Sequence, residues 1–366
     1  MIITTSQKNL KAGLNIVEKI VSKNAALPIL QNIILKTTKG RLCLSSTNLE
    51  IGINFWLGGK VEEEGEIAIP ARIFSDFINN LKDGNLTLKS KGDVLLVNAN
   101  NYQTKIIGFS AKDFPIIPKP KEAPFIALRA AELFELFNTV IDAVSISETR
   151  PELSGVLLNF SEKTTEAAAT DGFHLAEKLI NTKNIRQPAD QKSVIVPRYI
   201  AQELIRIFSN LEEEVFLSVS ENQIFFTSPD LEIVSRLIDG RYPDYKKLIP
   251  EKWVSKVLVN KTELEKNIRL ASIFSSSISD IKISAEEKNL KILAKNADRG
   301  EITSLIEANL KNEPFELSLN YRYFLDGLKV IPTENVILEF TGEGNPLILR
   351  PEGRSDITYI IMPLRS

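Results

Sequence analysis

The chain has 366 residues, of which 43% are hydrophobic and 25% are charged, and its formal net charge is −2. This length allows two or three domains with separate cores, and no run of about 18 apolar residues is present to span a bilayer. The single cysteine, Cys43, excludes an intramolecular disulfide and a cysteine-cluster metal site. Together with an N-terminus that lacks a signal-peptide layout, these features predict a cytoplasmic protein.

Six amphipathic helices are predicted along the chain, each flanked by short strands and turns. In the fourth helix, Ile200, Leu204 and Phe208 recur at helical spacing. The predicted helices are 7–20, 71–82, 130–144, 197–210, 261–274 and 320–331.

The same order of elements occurs three times. Short apolar strands end at Pro70, Pro197 and Asn320, and an amphipathic helix follows each of these breaks. Proline suits a helix entry because its missing N–H would have no partner there. Three strands follow each such helix, and another helix with its strands precedes it. The chain therefore contains a repeat of helix, strands, helix and strands, about 120 residues long, three times over. The predicted domains are 1–120, 121–250 and 251–366.

This pattern predicts an α+β fold in which antiparallel strands carry two helices on one face of each repeat. Three repeats in a row form an arc, and an arc with complementary ends either closes into a ring or polymerises. Strands of neighbouring repeats can pair edge to edge, which hides edges that would otherwise aggregate. The helices then form a second layer on the inner or the outer side of the sheets.

Charge is unevenly distributed between the predicted helices and the rest of the chain. Five of the six helices carry a net positive charge of one or two, whereas 130–144 has three acidic residues and no basic one. This distribution favours a weakly basic helical layer and an acidic strand layer, although solvated helix faces also reach such an imbalance by chance. A net charge of −2 by itself argues mildly against a nucleic-acid-binding protein, since that class usually has a basic balance.

A series of short motifs, in order along the whole chain, resembles the β sliding clamp of bacterial DNA polymerase III. The matching motifs are "LPIL" (27–30), "TNLEI" (47–51), "IPAR" (69–72), "DFP" (113–115), "ATDGFHLA" (169–176), "VIVPR" (194–198), "DGRYPDYKKLIP" (239–250) and "YIIMPLRS" (359–366). Each motif alone is modest evidence, but their order agrees with the threefold repeat found independently of them.

The resemblance implies a processivity factor without a cofactor, metal or active site of its own. Two chains would associate head to tail as a homodimeric ring, with helices on the inner face and antiparallel sheets on the outer face. Such a ring would encircle double-stranded DNA without sequence specificity and would tether the replicative polymerase. The clamp loader and other proteins that carry a short clamp-binding peptide would be further partners, and no membrane is involved.

Two further sets of residues are expected from this resemblance, and in the first set Asn24 and Arg72 match DNA-contact positions of the family. The residues expected to face DNA are Lys8, Lys11, Asn24, Arg72, Arg198 and Lys266. The residues expected at the dimer interface are Phe77, Leu81 and Ile106 in the first repeat and Ile273 and Phe274 in the third. Pro151 and Glu152 depart from the family pattern, in which an aromatic pair can occur, and this puts a DNA contact from their loop in doubt.

The resemblance also implies a groove for partner peptides between the second and third repeats. Its expected residues are Arg150, Leu153, Thr170, Gly172, His174, Leu175, Pro243, Lys247, Leu248, Asn320, Tyr323, Met362, Pro363, Leu364 and Arg365. An apolar floor with an adaptable methionine suits a groove shared by several peptides. His174 stands where the family commonly has arginine, so we expect an altered peptide preference rather than loss of the groove.

Two other functions are compatible with parts of the pattern. An enzyme is disfavoured because the sequence has one histidine and one cysteine and lacks G-x-S-x-G, a P-loop and metal-ligand spacings. A peptide-binding scaffold that keeps the groove but does not encircle DNA remains the main alternative.

Overall fold

The computed structural model describes residues 1–21, 27–147, 149–182 and 192–364. Six α-helices lie within these residues, and each begins and ends within a few residues of its predicted position. They are α1 (Gln7–Val17), α2 (Ala71–Asn80), α3 (Ala130–Val140), α4 (Arg198–Phe208), α5 (Lys261–Ser272) and α6 (Tyr321–Val330). None of the helices in the described ranges is long and apolar enough to cross a membrane.

The strands are short, and all of their pairings are antiparallel. In chain order they are β1 (Ile2–Ser6), β2 (Asn32–Thr38), β3 (Arg41–Thr47), β4 (Ile51–Gly58), β5 (Lys60–Glu63), β6 (Gly65–Pro70), β7 (Asn85–Lys91), β8 (Val94–Ala99), β9 (Tyr102–Ile107), β10 (Ile126–Arg129), β11 (Gly155–Phe160), β12 (Thr164–Thr170) and β13 (His174–Asn181). They continue as β14 (Lys192–Pro197), β15 (Glu214–Ser220), β16 (Gln223–Ser228), β17 (Leu231–Arg236), β18 (Ser255–Asn260), β19 (Asp280–Glu286), β20 (Asn289–Asn296), β21 (Gly300–Lys311), β22 (Phe315–Asn320), β23 (Asn335–Phe340), β24 (Leu347–Pro351) and β25 (Ile357–Ile361).

The threefold repeat of the sequence is present in the order and pairing of these elements. Each repeat consists of a strand, a helix, three strands, a strand, a helix and three strands, and the first repeat has β5 in addition. In each repeat the opening strand pairs with the first strand after the second helix, as in β1 with β7, β10 with β15 and β18 with β23. The predicted α+β fold with helices and antiparallel sheets is therefore confirmed.

Two of the three sheets continue from one repeat into the next. The five-stranded sheet has the order β5-β1-β7-β8-β9, the eight-stranded sheet β10-β15-β16-β17-β4-β3-β2-β6, and the twelve-stranded sheet β14-β11-β12-β13-β25-β24-β23-β18-β21-β20-β19-β22. β17 of the second repeat pairs with β4 of the first, and β25 of the third repeat pairs with β13 of the second.

Two compact units follow from these continuous sheets. Among the described residues, the first unit lies within Met1–Ala131 and Arg206–Leu237, and the second lies within 132–182, 192–205 and 238–364. Each unit holds strands from two repeats, because hydrogen bonds between strands join the repeats as firmly as those within a repeat. The domain boundaries that the sequence predicts near residues 120 and 250 remain predictions.

Helix α1 shows how these sequences form a helix with one buried and one solvated face. The Ser6 side chain caps its N-terminus by accepting a hydrogen bond from the Asn9 N–H. Leu10, Leu14 and Val17 are buried at helical spacing. A Cβ on Gly13 would lie 2.7 Å from the Leu44 side chain, so glycine allows α1 to pack closely on β3.

Helix α6 is placed against β25 in a similar way in the second unit. Asn320 accepts a hydrogen bond from the Arg322 N–H and so caps the helix. A Cβ on Gly327 would lie 2.6 Å from the Tyr359 ring, so α6 can approach the sheet closely only with glycine at this position. This contact sets the position of Tyr323 on the next turn towards the N-terminus.

A buried ion network lies at the junction of β13 and β25. The Lys178 side chain is 3% exposed, and its Nζ lies 2.7 Å from Asp356 Oδ2 and 2.9 Å from Glu135 Oε2. Burial opposes ionisation of Asp356, but hydrogen bonds from Arg354 and Lys178 outweigh it and lower the pKa of Asp356 to about 2. Because this pKa is lower than in the unfolded chain, the stabilisation is present above the ordinary Asp value of about 4 and is lost as the pH falls through about 2.

We therefore expect Asp356→Asn to lower the thermal unfolding midpoint at pH 5 and to lower it progressively less as the pH falls to about 2. The measurement is a series of thermal melts across this pH range. Glu343→Gln, at an exposed position, is the matched control and should leave the midpoint unchanged at each pH. A difference between Asp356→Asn and the wild type that does not vary with pH would contradict this account of the junction.

Candidate functional site

A tight turn between β12 and β13 forms the centre of the candidate site. Asp171 Oδ1 accepts hydrogen bonds from the backbone N–H groups of Phe173 at 2.8 Å and His174 at 3.0 Å. Thr170 Oγ1 donates to the His174 carbonyl at 2.6 Å and accepts from the Gly172 N–H. Gly172 has a φ of +93°, which favours glycine. The short polar side chains of "TDG" thus build a rigid turn from local hydrogen bonds.

His174 lies behind this turn and is 4% exposed. Its Nδ1 is 2.9 Å from Asp171 Oδ1, and its Nε2 is 3.4 Å from the backbone oxygen of Asp142. Its ring stacks on Tyr323 of α6 with centroids 4.1 Å apart and an interplanar angle of 17°. Burial opposes ionisation of Asp171, but its bonds with His174 and the turn lower its pKa overall. His174 is expected to line the groove; its ring is buried behind the turn, and its role in peptide binding stays a prediction.

The segment after β17 carries two tyrosines into the core beneath the site. The Thr170 N–H donates to the Tyr242 hydroxyl at 3.0 Å. Tyr242 and Tyr245 are buried in a cluster that includes Leu153 and Leu175. Burial raises the pKa of both tyrosines, and the charge of Glu177 raises that of Tyr245 further, so both hydroxyls stay neutral.

An ion cluster fastens the same segment to the sheet. The Tyr245 hydroxyl donates to Glu177 Oε1 at 2.8 Å, and Lys246 Nζ lies 2.5 Å from the same oxygen and 3.1 Å from Glu166 Oε2. Burial lowers the pKa of Lys246, but hydrogen bonding and the charges of Glu177 and Glu166 outweigh burial and raise it. Lys247 and Leu248 follow directly, so this cluster holds them at the edge of the site.

Apolar side chains remain exposed above the buried cluster. Leu248 is 54% exposed, Phe173 is 63% exposed and Met362 is 39% exposed. The Met362 N–H donates to the Phe173 carbonyl, and the Leu364 N–H donates to the Ser318 carbonyl of β22, each at 2.9 Å. Residues 362–364 are thereby held between the turn and β22, and the apolar side chains of Phe173 and Met362 are exposed beside each other.

The other expected groove residues lie in the same unit with different exposures. Thr170, Leu153 and Leu175 are buried, Pro243, Asn320, Tyr323, Pro363 and Leu364 are half-buried, and Arg150, Gly172 and Lys247 are exposed. Arg150 Nε lies 3.2 Å from Glu152 Oε1, so part of its charge is offset locally. Arg365 lies outside the described residues.

Sequence reasoning missed the supporting roles of Asp142, Asp171, Tyr242 and Tyr245. "TDG" is a recognisable side-chain-capped turn, and two tyrosines within "RYPDY" could have indicated buried aromatic rings with hydroxyl partners. Asp142 acts through its backbone oxygen, for which a sequence carries no signal.

The residues expected to face DNA are on helix surfaces of their own units. Lys8 and Lys11 lie on the exposed face of α1, and the Arg72 side chain on α2 is 83% exposed, with its Nε 3.8 Å from Asp76. Lys266 on α5 is 66% exposed, and its Nζ is 3.9 Å from Glu263. Arg198 is half-buried at the start of α4, and Asn24 lies outside the described residues.

The expected interface residues also divide between the units. Phe77 and Leu81 in the first unit and Phe274 in the second are half-buried, and Ile273 is 57% exposed. Ile106 is 5% exposed, whereas Ile107 is 75% exposed. Side chains alternate along β9, so Ile107 rather than Ile106 points to solvent, and the interface expectation for Ile106 stays a prediction.

Metal and thiol chemistry have little support in the described ranges. There, no group of three or more His, Cys, Asp or Glu side chains could hold a metal ion. Cys43 is buried, and burial raises the pKa of its thiol, which lowers its reactivity.

Comparison with known proteins agrees with the fold and its repeats. Three domain families of the DNA polymerase III beta subunit match in order: the N-terminal domain at 1–118, the central domain at 127–244 and the C-terminal domain at 246–365. The beta sliding clamp of Synechococcus elongatus is 30% identical over 374 residues, covering 100% of this chain and 99% of that protein.

Solved structures give the same result. The DNA polymerase III subunit beta from Pseudomonas aeruginosa superposes with a TM-score of 0.94 at 27% identity, over 100% of both chains. The sliding clamp from Bacillus subtilis gives 0.93 at 25% identity, over 100% of this chain and 99% of that one. The fold is thus the three-domain clamp fold of DNA replication proteins. The chain belongs to the family of the DNA polymerase III beta subunit.

The Tyr242 hydroxyl gives a direct test of how the turn is held. We expect Tyr242→Phe to reduce the free energy of unfolding by about 1–3 kcal/mol, because it leaves the buried Thr170 N–H without its acceptor. Denaturant unfolding measures this loss, and faster hydrogen exchange at the Thr170 amide would locate it. Tyr102→Phe removes the hydroxyl of a side chain that is 54% exposed and should have almost no effect. Unchanged protection of the Thr170 amide in Tyr242→Phe would show that this bond does not hold the turn.

Proposed function

We propose that this chain is a cytoplasmic sliding clamp with three domains, at 1–120, 121–250 and 251–366. Two copies close head to tail into a ring around duplex DNA, and the ring tethers the replicative polymerase without catalysing a reaction. The clamp loader and other partners bind through short peptides that occupy the groove described above. Family membership supports the proposal, and the main structural observation behind it is the pairing of strands between repeats.

Both pairings between repeats follow one rule. The third strand after the first helix of a repeat pairs with the last strand of the next repeat, as β4 does with β17 and β13 does with β25. In the third repeat the corresponding third strand is β21, and in the first repeat the last strand is β9. β9 is an edge strand, and β21 pairs on one side only along residues 300–307. The rule therefore joins β21 of one copy to β9 of a second copy.

The side chains around these two free edges suit such an interface. Tyr102 and Ile107 on β9 are 54% and 75% exposed, and Leu305 on β21 and Ile273 after α5 are 65% and 57% exposed. Exposed apolar residues beside open strand edges favour association. Half-buried Phe77, Leu81 and Phe274 would flank this contact, with Ile106 supporting β9 from inside. Two equivalent seams close a ring of six domains, since each chain has one edge of each kind.

The helix surfaces suit a loose contact with DNA. α1 carries Lys8 and Lys11 on its exposed face, and α4, α5 and α6 each carry one more basic than acidic residue. Phosphate contacts by such side chains are electrostatic and independent of sequence. Lys8 and Lys11 would line the channel together with Asn24, Arg72, Arg198 and Lys266. A chain with a net charge of −2 is held by enclosure rather than by strong attraction, which allows sliding.

The groove suits a peptide with a few apolar anchors. Leu248, Phe173 and Met362 are exposed above a core that contains Leu153 and Leu175, so an apolar side chain can be buried there on a fixed floor. Such anchors usually carry most of the affinity of a peptide. Arg150, Lys247 and Asn320 at the margin offer polar contacts.

Enclosure of DNA predicts a result that simple binding does not. The protein should stay on nicked circular DNA at high salt and leave the DNA after linearisation, because topology holds it rather than charge. A clamp loader or spontaneous ring opening is needed for entry, so the assay compares retention after loading. A peptide-binding scaffold would show no difference between circular and linear DNA.

The proposed seam predicts which surface isoleucines matter. Ile273→Asp and Ile107→Asp should shift the mass in solution from twice the 41.0 kDa chain to a single chain and abolish retention on the circle. Ile116→Asp alters an isoleucine that is 92% exposed away from the seam and should leave both properties unchanged. A wild-type monomer, or a dimer insensitive to both seam substitutions, would refute the head-to-tail ring.

The groove predicts a local loss of peptide affinity. Leu248→Asp should weaken binding of the clamp-binding peptide of the organism's own polymerase by about tenfold, the loss typical of a buried anchor contact. Calorimetry or fluorescence anisotropy measures it. Leu49→Asp, at a leucine with 48% exposure in the first unit, is the matched control. Equal affinities for the two variants would place the peptide elsewhere.

A further inference from the structure

Both nitrogens of the buried His174 ring face hydrogen-bond acceptors. Nδ1 is 2.9 Å from an oxygen of the Asp171 carboxylate, and Nε2 is 3.4 Å from the backbone oxygen of Asp142. A neutral imidazole has one N–H and can donate to only one of them, whereas the imidazolium donates to both. The neutral ring would keep the carboxylate bond, so its Nε2 lone pair would face the Asp142 oxygen. The 3.4 Å contact is therefore the one that depends on protonation.

The other groups that face this ring come from each element packed against it. Tyr323 of α6 stacks on it, and Tyr359 of β25 lies with its centroid 5.9 Å away. Asp326 of α6 is also close enough to interact electrostatically with His174, and Lys329 Nζ binds the Asp142 carboxylate at 2.6 Å. Burial and the charge of Asp171 raise the pKa of Tyr323, so its hydroxyl stays neutral near neutral pH. The cluster is thus rich in carboxylates and has one lysine at its edge.

His174 also links three elements that carry groove residues. It belongs to the turn that presents Phe173 and contacts Met362. Through Asp142 it touches the 3₁₀ helix Ile141–Ala143, which precedes the loop of Arg150 and Leu153. Through the ring stack it touches Tyr323.

We propose that His174 is a positioning residue whose protonated ring draws these three elements together and so shapes the groove for peptide. The neutral ring releases the Asp142 carbonyl and loses its cationic stacking on Tyr323, and the groove loosens. The protonated form therefore binds peptide more tightly. This inference rests on the proposed peptide groove. It adds that protonation of a buried histidine controls the affinity of the groove for peptide.

The chain offers an unusually direct measurement, because His174 is its only histidine. The full-length protein, labelled with ¹³C at the histidine Cε1, gives one imidazole signal, and its shift between pH 5.5 and 8.5 reports the protonation of His174. Peptide affinity is measured over the same range with an acetylated polymerase-derived peptide that lacks His, Cys and free amines. Most carboxyl groups, with ordinary values of about 4, are already ionised in this range.

We expect affinity to fall roughly fivefold as His174 loses its proton, a coupling of ordinary size. By reciprocity, bound peptide should move the midpoint of the His174 titration to higher pH by the same factor. His174→Gln should bind with an affinity that does not change with pH. Asp326→Asn removes the neighbouring carboxyl whose pKa is raised by burial and by Asp142, and it should keep the fall in affinity with pH, with the midpoint of that fall moved to lower pH.

The reciprocal shift is measured on the wild type, so the inference stays testable even if His174→Gln does not fold. Peptide binding with no pH dependence and no shift in the titration would overturn the role of His174 and leave the groove intact. Loss of the pH dependence in Asp326→Asn would assign it to that carboxyl instead and would also overturn the inference. Absence of binding at every pH would overturn the groove itself, and the role of His174 with it.

Discussion

Hydrogen bonding between strands of neighbouring repeats is the constraint on which this molecule depends. Two pairings, of β4 with β17 and of β13 with β25, join sheet edges that would otherwise be exposed into continuous sheets. These sheets define the two compact units. An open edge is a site for association with another chain. Because a linear chain of three repeats can satisfy only two such junctions internally, it keeps one unsatisfied edge of each kind. Under the proposed function, these two edges pair with those of a second copy and so close the ring.

The junction of β13 and β25 also explains where the groove lies. The pairing of His174 with Ile361 brings the turn after β12 beside the end of β25, and it places Phe173 next to Met362. The buried Lys178 network fixes the same pair of strands a few residues away. The proposed groove therefore lies where two repeats are joined, and its expected residues come from both of them.

Much of the fold was predictable, since periodic apolar residues and recurring breaks at Pro70, Pro197 and Asn320 specify helices, strands and their threefold order. The direction in which each side chain points was harder to predict. Ile106 and Ile107 are chemically alike, and only the register of β9 with β8 decides which of them is buried. The position of His174 behind the groove was not predictable either, because its partners include a backbone oxygen and a stacked ring from distant parts of the chain. Local patterns carry no information about such contacts.

Comparison of equivalent turns shows how one repeated scaffold acquires different chemistry. In the first repeat, Thr47 and Asn48 make the same set of bonds that Thr170 and Asp171 make in the second, and Ile51 stands where His174 does. The next residue, Gly52, has no side chain, and the Ile117 side chain lies 2.8 Å from where its Cβ would be; the second repeat has Leu175 at this place. The first junction is thus filled by the chain's own isoleucine, whereas the second has a titratable ring behind exposed apolar residues. The backbone supplies the turn in both repeats, and a few substitutions determine which side chains lie at each junction.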